Sequence, residues 1–328
     1  MLNLETSYMG LKLRNPIIIG SSGLTNSVEK IKELEAGGAG AVVLKSIFEE
    51  QILMEANSLK SEHVSHSEAM DLLRQYTEKN TLDEYLKVIE NAKKEVSIPV
   101  IASINCSCAT PTNWVSFARK IEKSGADALE LNIFVMPADY KMKGEDIEKN
   151  YFEIVSHVRE QVDIPIAVKM SHYFSGLANM IFNLSVRHIQ GIVLFNRFYT
   201  PDIDLDKVEV MSSHVFSAPE EISLPLRWIG LLSSHVKCDL AASTGIHDGH
   251  GVIKSLLVGA KAVQVATAIY KKGPAYIGTM LEQVQDWMKE HKYKSIKDFI
   301  GKLRHDQLKD PMKYERSQFM KYFADSKI

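Results

Sequence analysis

The chain has 328 residues, of which 45% are hydrophobic and 24% charged, as in an ordinary globular protein. Its net charge of −2 is spread over both signs, which argues against a nucleic-acid surface or a cationic patch for anionic membranes. Three cysteines without a Cys-x-x-Cys pair, and no apolar leader or run near the ~20 residues of a membrane span, predict a reduced, cytoplasmic protein.

Short apolar runs alternate with amphipathic helical patterns along the chain. The runs that predict strands occupy residues 16–23, 41–46, 98–105, 128–133, 164–171, 191–196, 239–246 and 262–273. The helical patterns occupy residues 27–38, 81–96, 110–126, 145–161, 175–187, 224–236, 248–260 and 274–291. Nearly continuous apolar strands are covered on both faces, as parallel strands are. Eight strand–helix units predict an α/β fold, a (β/α)8 TIM barrel in one domain over 1–328.

An open doubly wound sheet is the alternative architecture. It usually has a glycine-rich turn after its first strand, and no Gly-x-Gly-x-x-Gly occurs here. Residues 1–15 predict a β-hairpin across the bottom of the barrel. Two long connections, 47–80 and 197–223, follow predicted strands 2 and 6 and therefore lie on the C-terminal face. They are either lids and binding walls or surface excursions and oligomer contacts.

Polar and small residues stand at the ends of the predicted strands, where barrels of this kind place their sites. Candidate ligand-binding residues there are Ser22, Gly23, Lys45, Ser46, Ser103, Asn105, Asn132, Lys169, Asn196, Thr244, Gly245, Ala266 and Thr267. The small Ser22 and Gly23 allow a flat ligand to lie against the backbone.

The ends of strands 7 and 8 predict a phosphate pocket. "STGIHDG" and "VATAI" supply a glycine for close backbone approach, a threonine hydroxyl and the N–H groups that begin helices. A tight turn that needs glycine only for its geometry is the alternative.

Two lysines at strand ends, Lys45 and Lys169, point to an anionic partner inside the barrel. Both could face one flat ligand such as a reduced flavin, whose negative charge an ammonium stabilises. Alternatively, one of the lysines forms a structural ion pair with Glu130.

Taken in order, "NPIIIGSSG", "AVVLKS", "ALELN", "PIAVKM", "STGI" and "VQVATAIYKKGP" resemble the dihydroorotate dehydrogenase family, and most of all its soluble class 1 members. The resemblance implies an FMN-containing barrel and a homodimer. It implies phosphate binding at Thr244, Gly245, Ala266 and Thr267, with the isoalloxazine ring over Ser22 and Gly23. It also implies contacts of Lys45, Asn132 and Lys169 with the polar edge of the ring, and Ser103 or Asn105 nearby.

The substrate side departs from the family pattern. Members have Asn-x-Ser-Cys-Pro-Asn, or a Ser variant, after strand 4, and its Cys or Ser takes the C5 proton of dihydroorotate. Here the stretch reads Asn132-Ile133-Phe134-Val135-Met136-Pro137-Ala138. The family's Asn-x-x-Gly-x-x-Asn after strand 2 is also absent, and Asn196-Arg197 replaces Asn-Ser or Asn-Thr. Loss of a general base costs ~10²–10⁴-fold in rate, so slow or absent dihydroorotate turnover is expected.

A relocated base is possible in principle. Cys106 and Cys108 follow strand 3 and His172 follows strand 5, but a small buried cysteine and an exposed loop histidine are the alternative readings. His66 and Tyr199 in the long connections have weaker claims. His247 and His250 are expected to hold the phosphate loop, and no metal site is predicted.

Four functions remain open from the sequence. The first is an FMN oxidoreductase that acts on a dihydropyrimidine-like or related CH–CH substrate. The second is a dihydroorotate dehydrogenase of pyrimidine biosynthesis with a relocated base. The third is a non-catalytic barrel that binds flavin or a phosphate ligand. The fourth is a flavin-free enzyme that uses Lys169 as a Schiff-base amine.

Overall fold

A computed structural model describes residues 2–49, 67–106, 111–197, 200–213 and 215–315. The strands, numbered in chain order, are β1 (Thr6–Tyr8), β2 (Leu11–Leu13), β3 (Ile17–Ile19), β4 (Ala41–Val43), β5 (Ile47–Phe48), β6 (Val100–Asn105), β7 (Ala128–Asn132), β8 (Ile166–Met170), β9 (Gly191–Leu194), β10 (Thr200–Asp204), β11 (Glu209–Ser213), β12 (Asp239–Ser243) and β13 (Ala262–Val265). The helices are α1 (Val28–Ala36), α2 (Ser67–Glu95), α3 (Pro111–Lys123), α4 (Gly144–Arg159), α5 (Leu177–Ser185), α6 (Ser223–Leu232), α7 (Gly249–Leu257), α8 (Thr267–Lys272) and α9 (Tyr276–Glu290).

Eight parallel strands close into a barrel. Their order around the ring is β3, β4, β6, β7, β8, β9, β12 and β13, and the pairing of β13 with β3 closes the ring. Helices occupy the connections between consecutive strands, as the right-handed βαβ unit requires. The predicted (β/α)8 barrel is therefore confirmed.

Two predicted element boundaries differ from the structure. Helix α2 begins at Ser67 rather than at residue 81, so the second half of the first long connection is helical. The predicted strand 262–273 is split, because β13 ends at Val265 and α8 begins at Thr267. The four residues of β13 complete the last barrel strand. Ala266 (φ −138°, ψ −56°) then turns the chain into the helix.

The N-terminal hairpin fills the lower end of the barrel. Tyr8 and Met9 are 1% exposed and pack against the small residues that line the lumen, among them Ala41, Ala128 and Ala241. The loop between the two strands is held by a hydrogen bond from the Met9 N–H to the carboxylate of Asp239 (2.9 Å). A large hairpin residue thus fills the space that small strand residues leave.

The two long connections take different forms on the upper face. In the first, β5 adds to the sheet beside β6, with Phe48 paired to Asn105. The second contains the antiparallel hairpin β10–β11, which leaves Leu205 and Val208 more than 80% exposed. Within the described ranges, no helix combines the length and the apolar character needed to cross a membrane.

Candidate functional site

A cavity of about 590 Å³ opens at the carboxyl ends of the barrel strands. All of the predicted cofactor-binding residues line it except Ser103 and Asn105. Those that do are Ser22, Gly23, Lys45, Ser46, Asn132, Lys169, Asn196, Thr244, Gly245, Ala266 and Thr267. The described lining residues include three cationic side chains and no carboxylate, so the cavity is electrostatically suited to an anionic ligand.

Lys169 forms the floor of the cavity with two buried partners. Its ammonium donates to Oε1 of Gln264 (2.8 Å), and the Gln264 amide donates to Oε2 of Glu130 (2.5 Å). Lys169 Nζ also lies 4.0 Å from Oε1 of Glu130. Burial raises the pKa of the Glu130 carboxyl, while Lys169 and Gln264 act in the opposite direction. The ion pair expected as an alternative role thus exists, yet Lys169 still reaches the cavity with 12% of its side chain exposed.

A chain of hydroxyl groups supports the wall near β3 and β4. Ser46 Oγ lies 3.0 Å from Ser21 Oγ and 2.7 Å from Ser103 Oγ, and it accepts a hydrogen bond from the Asn132 amide (3.2 Å). Ser103 is fully buried, so it positions Ser46 from beneath instead of lining the cavity. Asn105 is also buried, and Phe48, its neighbour in the sheet, lines the cavity instead.

Asn132 offers a test of whether a flavin fits. Its Oδ1 atom is buried and accepts no hydrogen bond from the described residues, although the side chain lines the cavity. A buried acceptor of this kind costs ~1–3 kcal/mol while it lacks a donor. A flavin ring carries an N–H donor on its polar edge, so this residue fits the group that the resemblance implies.

The turn after β12 has the backbone form that a phosphate-binding loop needs. Thr244 (φ 79°) and Gly245 (φ 77°) are consecutive left-handed residues. A Cβ on Gly245 would lie 2.1 Å from the backbone nitrogen of Ile222, so only glycine fits. Thr244 and Gly245 both line the cavity, and the missing side chain of Gly245 allows a ligand to approach the backbone closely.

The second long connection closes the cavity from above. Arg197 pairs with Glu221 (2.9 Å) and donates to the carbonyls of Val215 (3.0 Å) and Phe216 (3.1 Å). Sequence reasoning noted Arg197 only as a departure from the family pattern. It missed Gln264, Ser217 and Tyr270 as lining residues. A polar residue inside the apolar run "AVQV" was the available signal for Gln264.

The two weak catalytic candidates do not line the cavity. Cys106 is 4% exposed. The ring of His172 lies 4.4 Å from that of Tyr173, and burial lowers the pKa of the imidazole, which keeps it neutral. Cys108, His66 and Tyr199 lie outside the described residues.

The loop after β7 brings no proton acceptor to the cavity. Ile133 is buried, while Phe134 and Met136 are 42% and 49% exposed. Asn196 is engaged in structure, since its amide donates to the carbonyl of Ile133 (3.2 Å). Among the described residues, no three His, Cys, Asp or Glu side chains come together as a metal site.

Comparison with known proteins adds a consistent set of relatives. The family profile described as "Dihydroorotate dehydrogenase" matches residues 3–288. The chain is 28% identical to the dihydroorotate dehydrogenase B (NAD(+)) catalytic subunit of Pyrococcus abyssi, over 91% of this chain and 98% of the relative. It is 26% identical to the subunit of the same name in Thermoplasma acidophilum, over 92% and 99%. A putative dihydroorotate dehydrogenase A (fumarate) of Aeropyrum pernix is 25% identical over 91% and 96%.

Proposed function

The chain belongs to the dihydroorotate dehydrogenase family, a family of oxidoreductases and flavoproteins, and we propose that it is an FMN-dependent enzyme acting on a CH–CH bond. The observation that carries the proposal is the cavity itself. It joins a left-handed Thr244–Gly245 turn at one side to the supported ammonium of Lys169 on its floor. A phosphate and the electron-rich edge of a flat ring match these two features.

Different residues of the chain would hold the two ends of FMN. Thr244, Gly245, Ala266 and Thr267 would bind the phosphate, and the small Ser22 and Gly23 would face the ring. Bound there, the cofactor supplies the acceptor for a hydride from the substrate. Gln264 and Glu130 fix the position of the Lys169 ammonium, so that it can stabilise negative charge on the ring without reorganising.

The reactant is proposed to be a dihydropyrimidine-like or related cyclic compound with more apolar surface than dihydroorotate. Phe48, Phe216 and Tyr270 line the cavity. The family residues that would contact the polar edges of orotate are replaced in this chain. Without those amide donors, each polar group of a bound orotate would lack a partner, at a cost of about 1–3 kcal/mol for each group.

Dihydroorotate dehydrogenation is the second candidate. It is favoured by the full-length similarity to proteins with that name, which covers 91–92% of this chain. The missing base after β7 is the observation against it.

One experiment separates the candidates. The purified chain is examined for flavin absorbance and then titrated anaerobically with dihydroorotate and with a panel of cyclic dihydro compounds. Bleaching by a panel member and not by dihydroorotate is expected. Bleaching by dihydroorotate supports the second candidate, and a protein that neither carries nor binds FMN overturns the proposal.

A further inference from the structure

Ser217 and His247 form a partly buried polar chain that ends at Thr267, a residue of the proposed phosphate site. Ser217 is 6% exposed and belongs to the second long connection. Its N–H donates to Oγ1 of Thr267 (3.2 Å), and its hydroxyl donates to the same oxygen (3.1 Å). Nε2 of His247 lies 3.0 Å from Ser217 Oγ. These three residues come from three separate segments of the upper face, namely the second long connection, the loop after β12 and the start of α8.

The Ser217 hydroxyl donates its single proton to Thr267, so its oxygen is left to accept from His247 in the tautomer that carries the proton on Nε2. Thr267 Oγ1 has two lone pairs, and the N–H and the O–H of Ser217 occupy both. The Thr267 hydroxyl is left able only to donate. Thr267 lines the cavity, so that donor is available to a ligand there.

The environment of His247 agrees with this arrangement. Burial lowers the pKa of its imidazole, with Lys271 and Lys272 acting in the same direction and Asp248 and Glu221 opposing them. A neutral ring has one N–H, and here it is the one that meets Ser217.

We propose that Ser217 and His247 are specificity-determining residues that orient the Thr267 hydroxyl as an obligate donor to a phosphate monoester. The inference rests on the proposed function and assigns a role to Ser217 in the second long connection and to His247, which follows Gly245 in the loop after β12. Phosphate accepts hydrogen bonds and in its dianionic form donates none, so a donor-only hydroxyl selects it. Ser217 follows Phe216, whose carbonyl accepts a hydrogen bond from Arg197, and both residues line the cavity, so the seating of this connection is tied to phosphate binding.

The test compares FMN with riboflavin, which has the same ring and lacks the phosphate. Dissociation constants for both are measured on the full chain, stripped of flavin, for the wild type and for Ser217→Ala, Thr267→Val and His247→Leu. Each variant is expected to lower the preference for FMN by about tenfold, with riboflavin affinity changed less than about twofold. His247→Gln, which retains an N–H donor at a similar reach, is expected to restore most of the preference.

The outcomes are distinguishable. A wild type that binds neither flavin overturns the proposed function. A wild type that binds both equally, or a Ser217→Ala protein that loses affinity for both to the same extent, overturns the specificity role. A Thr267→Val effect without a Ser217→Ala effect also overturns it, since the threonine would then act without the chain. If Ser217→Ala fails to fold, His247→Leu against His247→Gln makes the same comparison.

Discussion

The walls of the cavity near β13 and near β7 lie on opposite sides of the barrel ring and carry different chemistry. The first carries Thr244, Thr267 and the glycine turn of the proposed phosphate site. The second leads into a loop in which Phe134 and Met136 are half exposed and from which no proton acceptor lines the cavity. Because separate strands carry the two walls, the residues near β13 can keep a cofactor site while the residues near β7 change to suit a different reactant. The following experiments test that independence.

The largest effect is expected from restoring the missing base. Residues 133–138 are replaced by a loop with the family's Ser-Cys-Pro-Asn, and a matched graft has Ala in place of Cys. If the walls are independent, the Cys graft should turn over dihydroorotate ~10²–10⁴-fold faster than the Ala graft, measured by anaerobic flavin bleaching. Fast turnover by the unaltered chain would contradict the comparison.

Removing the Lys169 ammonium from the cavity floor should weaken binding of the proposed cofactor. Lys169→Ala is expected to weaken FMN binding by ~10–100-fold, because a charge-assisted contact is lost. Flavin content per chain and the dissociation constant measure the effect, and Lys87→Ala, at an exposed position of α2 away from the cavity, is the control.

The same variant leaves Glu130 buried without its cation, which itself destabilises the fold. The double variant Glu130→Gln/Lys169→Met removes both charges and separates the two effects. Undiminished FMN content in Lys169→Ala would show that the cofactor lies elsewhere.

A smaller effect is expected from the turn after β12. Gly245→Ala places a Cβ against Ile222 and forces a left-handed φ, so it should lower the free energy of unfolding by at least about 2 kcal/mol. Gly125→Ala has a similar φ (88°) with open space around it and should lose only about 1 kcal/mol. Urea denaturation of both variants gives the comparison, and equal losses would mean that the close approach to Ile222 is unimportant.

The smallest effect is a pH dependence. Burial raises the folded pKa of Glu130 above its ordinary value of 4.5. The proton it retains therefore contributes stability that is fully present below pH 4.5 and is lost as the pH rises through the folded pKa. The stability of the wild type relative to Glu130→Gln should fall over that range in urea titrations. Asp286→Asn, on an exposed surface, is the control. A difference that grows in the opposite sense would show that Lys169 outweighs burial.

The barrel was predictable because continuous apolar runs such as Ile17–Ile19 are buried on both faces. The tight turn after β12 was predictable because Gly245 stands at a strand end, whereas phosphate binding there stays a prediction. The roles of Gln264 and Ser217 were not predictable, since Gln264 contacts side chains across the barrel and Ser217 contacts residues of other segments on the upper face. Asn105 was predicted to line the cavity, but Phe48 lines it there instead. Strand β5 pairs with β6 at this point, and no local sequence pattern indicates such a pairing. Homodimer formation and a cytoplasmic location stay predictions, and light scattering on the purified chain checks the first.

The hairpin at the base of the barrel has a consequence for assembly. Tyr8 and Met9 precede all the barrel strands in the chain, yet Met9 binds Asp239 and Thr6 donates to the carbonyl of Lys261. These contacts span more than 200 positions of the chain, so the hairpin cannot be fixed in place until the segments around Asp239 and Lys261 have formed. Until then the large side chains of Tyr8 and Met9 remain exposed. An incompletely folded chain can therefore contact chaperones or other chains through this hairpin.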